Sequence, residues 1–202
     1  MSAPPGRLRR LRRAELPSDT VTLARWLLGK VVVRELPGAR LSGRIVETEA
    51  YPVGDAAGHA FRGETRRNAS LFLRRGHAYV YFVYGSSFLL NVSSEEAGVG
   101  AGVLLRGLEP LEGVERMQRL RRTTRRCDLT RGPGRLAEAL AVDLRQDGLD
   151  LCTPGPLWLA EGEAAGSVGR SVRIGITRDA DRVLRFFERG NPHVSGPGKL
   201  RA

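Results

Sequence analysis

The sequence predicts one α+β domain built round a largely antiparallel β-sheet, with helices packed about it. Three observations carry this. The 202 residues suffice for one domain with a sizeable core. Strand and helix signals are mixed, with neither a βαβ rhythm nor a GxGxxG fingerprint. Twice, two strand signals are separated only by a short turn, which is the mark of a hairpin.

The elements follow in order. MSAPPGRLRRLRRAEL places Pro4, Pro5 and Gly6 ahead of a run of arginines. A flexible basic arm over residues 1–17 is expected, with the domain over 18–202. Ser18 or Asp19 can cap a helix whose apolar stripe is Leu23, Trp26 and Leu27, and Gly29 ends it. KVVVREL and LSGRIVETEAY, joined at Pro37-Gly38, read as a hairpin over residues 30–51. Residues 52–70 lack periodicity and predict a long irregular loop, a type that more often carries function than framework. HAYVYFVYG and FLLNVSS, joined by Gly85-Ser86-Ser87, read as a second hairpin. GAGVLLRGL is a further buried strand. Leu111, Val114, Met117 and Leu120 recur at helical spacing, so a helix is expected over 111–126. RGPGRLAEALAV predicts a shorter helix after a Gly-Pro-Gly turn. SVRIGI and VLRFFER predict short strands before a Gly/Pro-rich end.

The formal net charge is +11, and lysine supplies only Lys30 and Lys199 of the 33 basic residues. A surplus that large favours a polyanionic partner, nucleic acid first. Arginine also forks onto phosphate and stacks on bases, which lysine does not. Cys127 and Cys152 fit no metal or redox spacing, and His59, His77 and His193 lie far apart, so no metal site is expected. The basic N-terminus has no apolar h-region, and no apolar run approaches membrane-spanning length. A soluble intracellular protein with reduced thiols, without membrane attachment, is expected.

The stretch RIVETEAY carries the clearest chemical signal. Strict alternation puts Val46, Thr48 and Ala50 on one face, suited to a core. Ile45, Glu47, Glu49 and Tyr51 fall on the other. Glutamates on one strand face are ordinarily solvated, but a carboxylate in a cleft can serve as a general base. In YVYFVYG, Tyr79, Tyr81 and Val83 share a face opposite Val80, Phe82 and Tyr84. Tyr84, beside the turn, is placed to act as a wedge between stacked bases. Asn91 interrupts FLLNV and Arg106 ends VLLR. Each needs a partner if buried, because an unsatisfied polar group costs about 1–3 kcal/mol.

Taken together, RIVETEAY, the YVYFVYG hairpin, NVSS, VLLRGLEPLEG, GPGRLAEAL and RFFERGNPHVS resemble the monofunctional alkyladenine (3-methyladenine, or methylpurine) DNA glycosylases of base excision repair. The resemblance runs from about Leu23 to Ser195. It implies a curved antiparallel sheet and a protruding hairpin that intercalates in DNA. It also implies hydrolysis of the N-glycosidic bond of damaged purines, among them 3-methyladenine, 7-methylguanine, hypoxanthine and ethenoadenine. The target is flipped from the duplex first.

Carried over by motif, Glu49 is the general base that activates water, and Arg106 holds Glu49 and the water. Tyr51, His59 and Tyr81 sandwich the flipped base, and Asn91 excludes guanine by clashing with its exocyclic amino group. Tyr84 is the intercalating wedge, made slimmer here by Ser86 and Ser87 at a position where the family often has bulky residues. No metal or cofactor is implied. Neither lysine lies near a motif, so water rather than a Schiff-base amine is the expected nucleophile. A monomer acting on double-stranded DNA is expected, in the cytoplasm of a bacterium and associated with the nucleoid. Two rival readings use the same residues: a non-catalytic DNA-binding protein with the hairpin as a minor-groove wedge, and a metal-dependent nuclease using Glu47, Glu49 and Asp55.

Overall fold

The computed structural model describes residues 8–83 and 85–200. The order is α1 (Thr20–Trp26), β1 (Val31–Leu36), β2 (Ala39–Tyr51), β3 (Ala78–Val83), β4 (Ser87–Ser93), β5 (Gly102–Glu112), α2 (Val114–Arg121), α3 (Pro133–Ala139), β6 (Leu157–Ala160), β7 (Val168–Ser171) and β8 (Arg185–Glu188). The strands form one sheet in the order β3-β4-β5-β2-β1-β6. β8 adds to β2, and β7 pairs with β8. Every pairing is antiparallel. The expected α+β class and both strand pairs agree with this arrangement. Tyr84 lies outside the described residues.

The main core brings residues of the three helices together with residues of the sheet. Leu23 of α1 and Leu27 at its C-cap, Met117 of α2 and Leu136 of α3 meet Ile45, Val80, Leu90, Val103 and Leu105. Asp19 caps α1 by accepting from the Thr22 amide at 2.7 Å. Of the expected basic arm, residues 8–17 lie against the domain. Leu11 and Leu16 are buried in the core, and Arg10 bridges to Ala160 of β6. The arginines of this stretch therefore alternate with apolar anchors.

Three elements differ from their sequence expectation. The helix expected over 111–126 is confined to Val114–Arg121. Leu111 belongs to β5, and Gly113 (φ 71°) and Arg122 (φ 50°) take left-handed backbone at either end. The strand expected at SVRIGI is instead Val168–Ser171, because the chain leaves the sheet after Ser171. The Ile174 N–H then serves a side chain rather than a ladder. β6, LWLA, has no counterpart in the sequence reading.

The faces of β2 also differ from strict alternation. Ile45 packs in the main core with Ala50, whereas Val46 packs with Phe187 and Val194 in a separate cluster. The cause is local. The register against β5 shifts between Ile45 and Glu47 and again before Thr48. Such an irregularity inserts a residue and resets the alternation. Glu47 and Glu49 still lie opposite Thr48, whose hydroxyl donates to the Ala24 carbonyl of α1 at 2.8 Å.

Gly107 sits opposite Glu47 in this irregular stretch. A methyl group there would lie 2.7 Å from the His193 carbonyl oxygen and 3.2 Å from Glu47 Oε2. Gly107→Ala is therefore expected to destabilise the fold by about 1–3 kcal/mol through overpacking, measured by urea denaturation. Unchanged stability would show that this approach is not tight.

Candidate active site

The site is built on a row that crosses the sheet. Tyr79 of β3 pairs with Asn91 of β4, Asn91 with Leu104 of β5, Leu104 with Glu49 of β2, and Glu49 with Arg185 of β8. Cross-strand partners share a face, so five strands present these side chains to one side. One row further along β2, Tyr51 lies opposite Gly102, whose missing side chain lets Leu71 approach the sheet closely.

Two glutamates are sealed inside, each 0% exposed. Glu47 Oε1 accepts from Arg185 Nε at 2.7 Å, from the Ser195 hydroxyl at 2.9 Å and from Arg106 Nε at 3.1 Å; its Oε2 accepts from the Ser195 amide at 2.6 Å. Burial opposes ionisation of Glu47. The charges of Arg106 and Arg185 and the Ser195 amide outweigh it and hold the carboxyl below its ordinary range.

Glu49 has the opposite balance. Its Oε1 accepts from the Ile174 amide at 2.8 Å and its Oε2 from the Tyr51 hydroxyl at 2.9 Å, with Arg106 Nη1 at 3.3 Å. Burial pushes its carboxyl up, and the Glu47 charge adds to the rise. Arg106, the Ile174 amide and the Tyr51 hydroxyl offset only part of it. Arg106 thus spans both carboxylates, and two adjacent glutamates are pushed in opposite directions. That division is how a fold separates a structural anion from a titratable base.

Beside Glu49 lies a cavity of about 170 Å³. Its size compares with an engineered cavity of about 150 Å³ that admits a single benzene ring. Tyr51, His59, Tyr79, Tyr81 and Asn91 line it, with the small residues Gly100 and Ala101 among its other walls. The His59 and Tyr81 rings are 4.4 Å apart edge to face, and Tyr79 stacks on Tyr81 at 5.3 Å. His59 Nδ1 is 2.7 Å from the Tyr79 hydroxyl. Burial, then the nearby Arg67 charge, pushes the His59 pKa down, so the imidazole is neutral in the pocket. Burial, then the Glu49 charge, raises the Tyr51 hydroxyl, which stays protonated and donates to Glu49. The Asn91 amide nitrogen donates to the Tyr79 carbonyl at 3.1 Å, which fixes the orientation of that side chain in the wall.

The residues singled out in the sequence fall into two groups that meet at Tyr51. Glu49, Arg106 and Tyr51 are in direct contact, and Tyr51, His59, Tyr81 and Asn91 share the cavity. Glu49 does not itself line the cavity; it lies one side chain behind, joined through the Tyr51 hydroxyl. Glu47 is ion-paired with Arg106 and Arg185. The sequence motifs assign no role to Tyr79, although its parity with Tyr81 puts it in the same wall. They assign none to Arg185 either, a charge inside the apolar run VLRFFE. Asp55, considered as a metal ligand with Glu47 and Glu49, is instead paired with Arg173 at 2.9 Å and Arg182 at 2.8 Å. Lys30 lies over the Trp26 ring and is not among the cavity residues.

Glu47 gives the stability of this cluster a defined pH dependence. Its folded pKa lies below the ordinary 4.5. Its contribution is therefore complete above 4.5 and lost as pH falls through the folded value. Glu47→Gln leaves Arg185 and Arg106 short of a buried counter-charge. At neutral pH it is expected to cost about 3–5 kcal/mol in urea denaturation. The difference from wild type is expected to narrow in acid, and an equal stability at neutral pH would contradict this role.

Comparisons with known proteins assign the chain to a family. The family model for methylpurine-DNA glycosylase matches residues 14–192. A protein of Mesorhizobium japonicum is 64% identical over 190 residues, covering 94% of this chain and 91% of its own. One of Paraburkholderia phytofirmans is 51% identical over 193 residues, covering 94% and 90%. One of Koribacter versatilis is 48% identical over 193 residues, covering 92% and 93%. Each bears the name "Putative 3-methyladenine DNA glycosylase". A match over most of the chain, together with relatives this similar over nearly their whole length, shows that the chain belongs to the methylpurine-DNA glycosylase family and is thereby an enzyme, a DNA glycosylase of the hydrolase class.

Proposed function

We propose that the protein flips alkylated and deaminated purines out of duplex DNA and hydrolyses their N-glycosidic bond with a water activated by Glu49. 3-Methyladenine, the substrate in the names of its relatives, is the first expected, followed by 7-methylguanine, hypoxanthine and ethenoadenine. The observation that carries the reading is a buried carboxylate with a raised pKa, held from both sides and joined through the Tyr51 hydroxyl to an aromatic cavity of ring size.

In this reading each group has one task. Glu49 Oε1 holds a single donor, the Ile174 amide, so a lone pair remains for water. A carboxylate whose pKa is raised toward the working pH takes a proton more readily. Its negative charge also stabilises the oxocarbenium-like sugar as the base departs. Arg106 keeps the carboxylate in place and is itself oriented by Glu47. Tyr51, His59 and Tyr81 stack on the base, worth about 1–3 kcal/mol per base. Alkylated purines carry positive charge, which favours both stacking and departure. Asn91, fixed in the wall by the Tyr79 carbonyl, is the group that rejects the guanine amino group. The wedge role of Tyr84 rests on the resemblance of the hairpin. The net charge of +11 supplies the phosphate attraction that offsets the cost of flipping.

The test is a panel of duplexes, each with one lesion, incubated with the protein and cleaved with alkali at the abasic site. Wild type is expected to release at least one of the four bases. Glu49→Gln, which keeps the shape but not the charge, is expected to bind lesion DNA and lose excision by a factor of about 100 or more. Absence of release across the panel would remove the enzymatic reading. Near wild-type rates for Glu49→Gln would remove Glu49 from its role.

A further inference from the structure

Against the Tyr51 ring lies a second buried ion pair. Arg173 Nη2 is 2.9 Å from Asp55 Oδ2, and both side chains are 0% exposed. The Arg173 guanidinium carbon sits 4.6 Å from the centre of the Tyr51 ring. Nη1 donates to the Ala50 carbonyl at 3.0 Å, which fixes the group against β2 beside Tyr51. Asp55 opens the loop that carries His59, and its Oδ1 caps the Ala57 amide at 3.0 Å. Arg182 also reaches Asp55, but its side chain is 41% exposed, so water screens its charge.

A positive charge directly behind a base-stacking ring has a consequence for selectivity. A base stacked on Tyr51 would lie within about 10 Å of the Arg173 charge, across a ring that cannot screen it. Left uncompensated, that charge would repel a cationic alkylated purine and leave a neutral purine untouched. Asp55 is the anion that cancels it.

We propose that the Arg173–Asp55 pair sets the charge preference of the base pocket, with Asp55 acting as a specificity-determining residue that lets the Tyr51 ring accept cationic purines. The proposal rests on the glycosylase reading and adds to it a residue and a basis for choosing between lesion classes. Arg173 is not among the cavity residues and acts through Tyr51, whereas Asp55 is one of them and acts by compensating the Arg173 charge.

The experiment measures single-turnover excision of a cationic lesion, 7-methylguanine, and a neutral one, hypoxanthine, in otherwise identical duplexes. The readout is the ratio of the two rates, which a general loss of packing does not move in a preferred direction. Asp55→Asn is expected to lower the cationic-to-neutral ratio by about tenfold, the size expected for one unscreened charge at this distance and an effective dielectric of about 20. Arg173→Gln, which leaves Asp55 paired with Arg182, is expected to raise the ratio. The double variant is expected to return it toward wild type. Because the two single variants predict opposite directions, either one that folds by circular dichroism decides the question. A ratio unchanged in a folded single variant, however far both rates fall, would overturn the proposal. Failure of wild type to excise either base would overturn the glycosylase reading itself, and the proposal with it.

Discussion

Burying two carboxylates side by side is the constraint on which the rest of this structure depends. Glu47 and Glu49 are both fully buried. An isolated ionised carboxylate in a protein interior neutralises itself unless cations and donors surround it. The fold supplies Arg106 from β5, Arg185 from β8 and the Ser195 backbone and hydroxyl, nearly all of them directed at Glu47. Glu49 receives what remains: one edge of Arg106, one amide and one phenol. The inequality is the useful feature. It keeps Glu47, which orients Arg106, an anion to lower pH, and leaves Glu49 readier to hold a proton.

Geometry and electrostatics arise from the same local event in β2. The register irregularity at Ile45–Thr48 lets Ile45 and Thr48 both serve the helix-covered core while Glu47 and Glu49 turn to the other side. From there the antiparallel order of five strands does the rest, placing Tyr79, Asn91, Leu104, Glu49 and Arg185 in one row. The aromatic cavity stands at the end of that row, lined by the loop from Tyr51 to His59 and by Gly100 and Gly102, which let Phe72 and Leu71 pack close behind them.

Much of the fold was legible in the sequence because periodicity is a direct image of burial. The two strand pairs, the α1 stripe of Leu23 and Leu27, and the shared face of Tyr79 and Tyr81 all follow from period alone. What escaped had physical reasons. Alternation cannot report a bulge, so Ile45 and Val46 were exchanged. A helical stripe cannot report that Gly113 turns left-handed, so the helix was drawn from Leu111. Long-range partners leave no local trace: nothing near Glu47 announces Arg185, which lies 138 residues away. The candidate site was legible only in outline. Residue types and alternation suggested a carboxylate and aromatic rings, and the long ordered motifs supplied roles. The depth of burial that divides Glu47 from Glu49 required three dimensions.

The central claim is that Glu49 is a buried base whose pKa is raised while its neighbour's is lowered. The most direct measurement is the pH profile of single-turnover excision, wild type against Glu49→Gln. A base must be ionised to act, so the wild-type rate is expected to rise with pH along a limb whose midpoint lies above the ordinary 4.5, and then to level. Glu49→Gln is expected to lack that limb. A midpoint at or below 4.5, or the same limb in Glu49→Gln, would contradict the account.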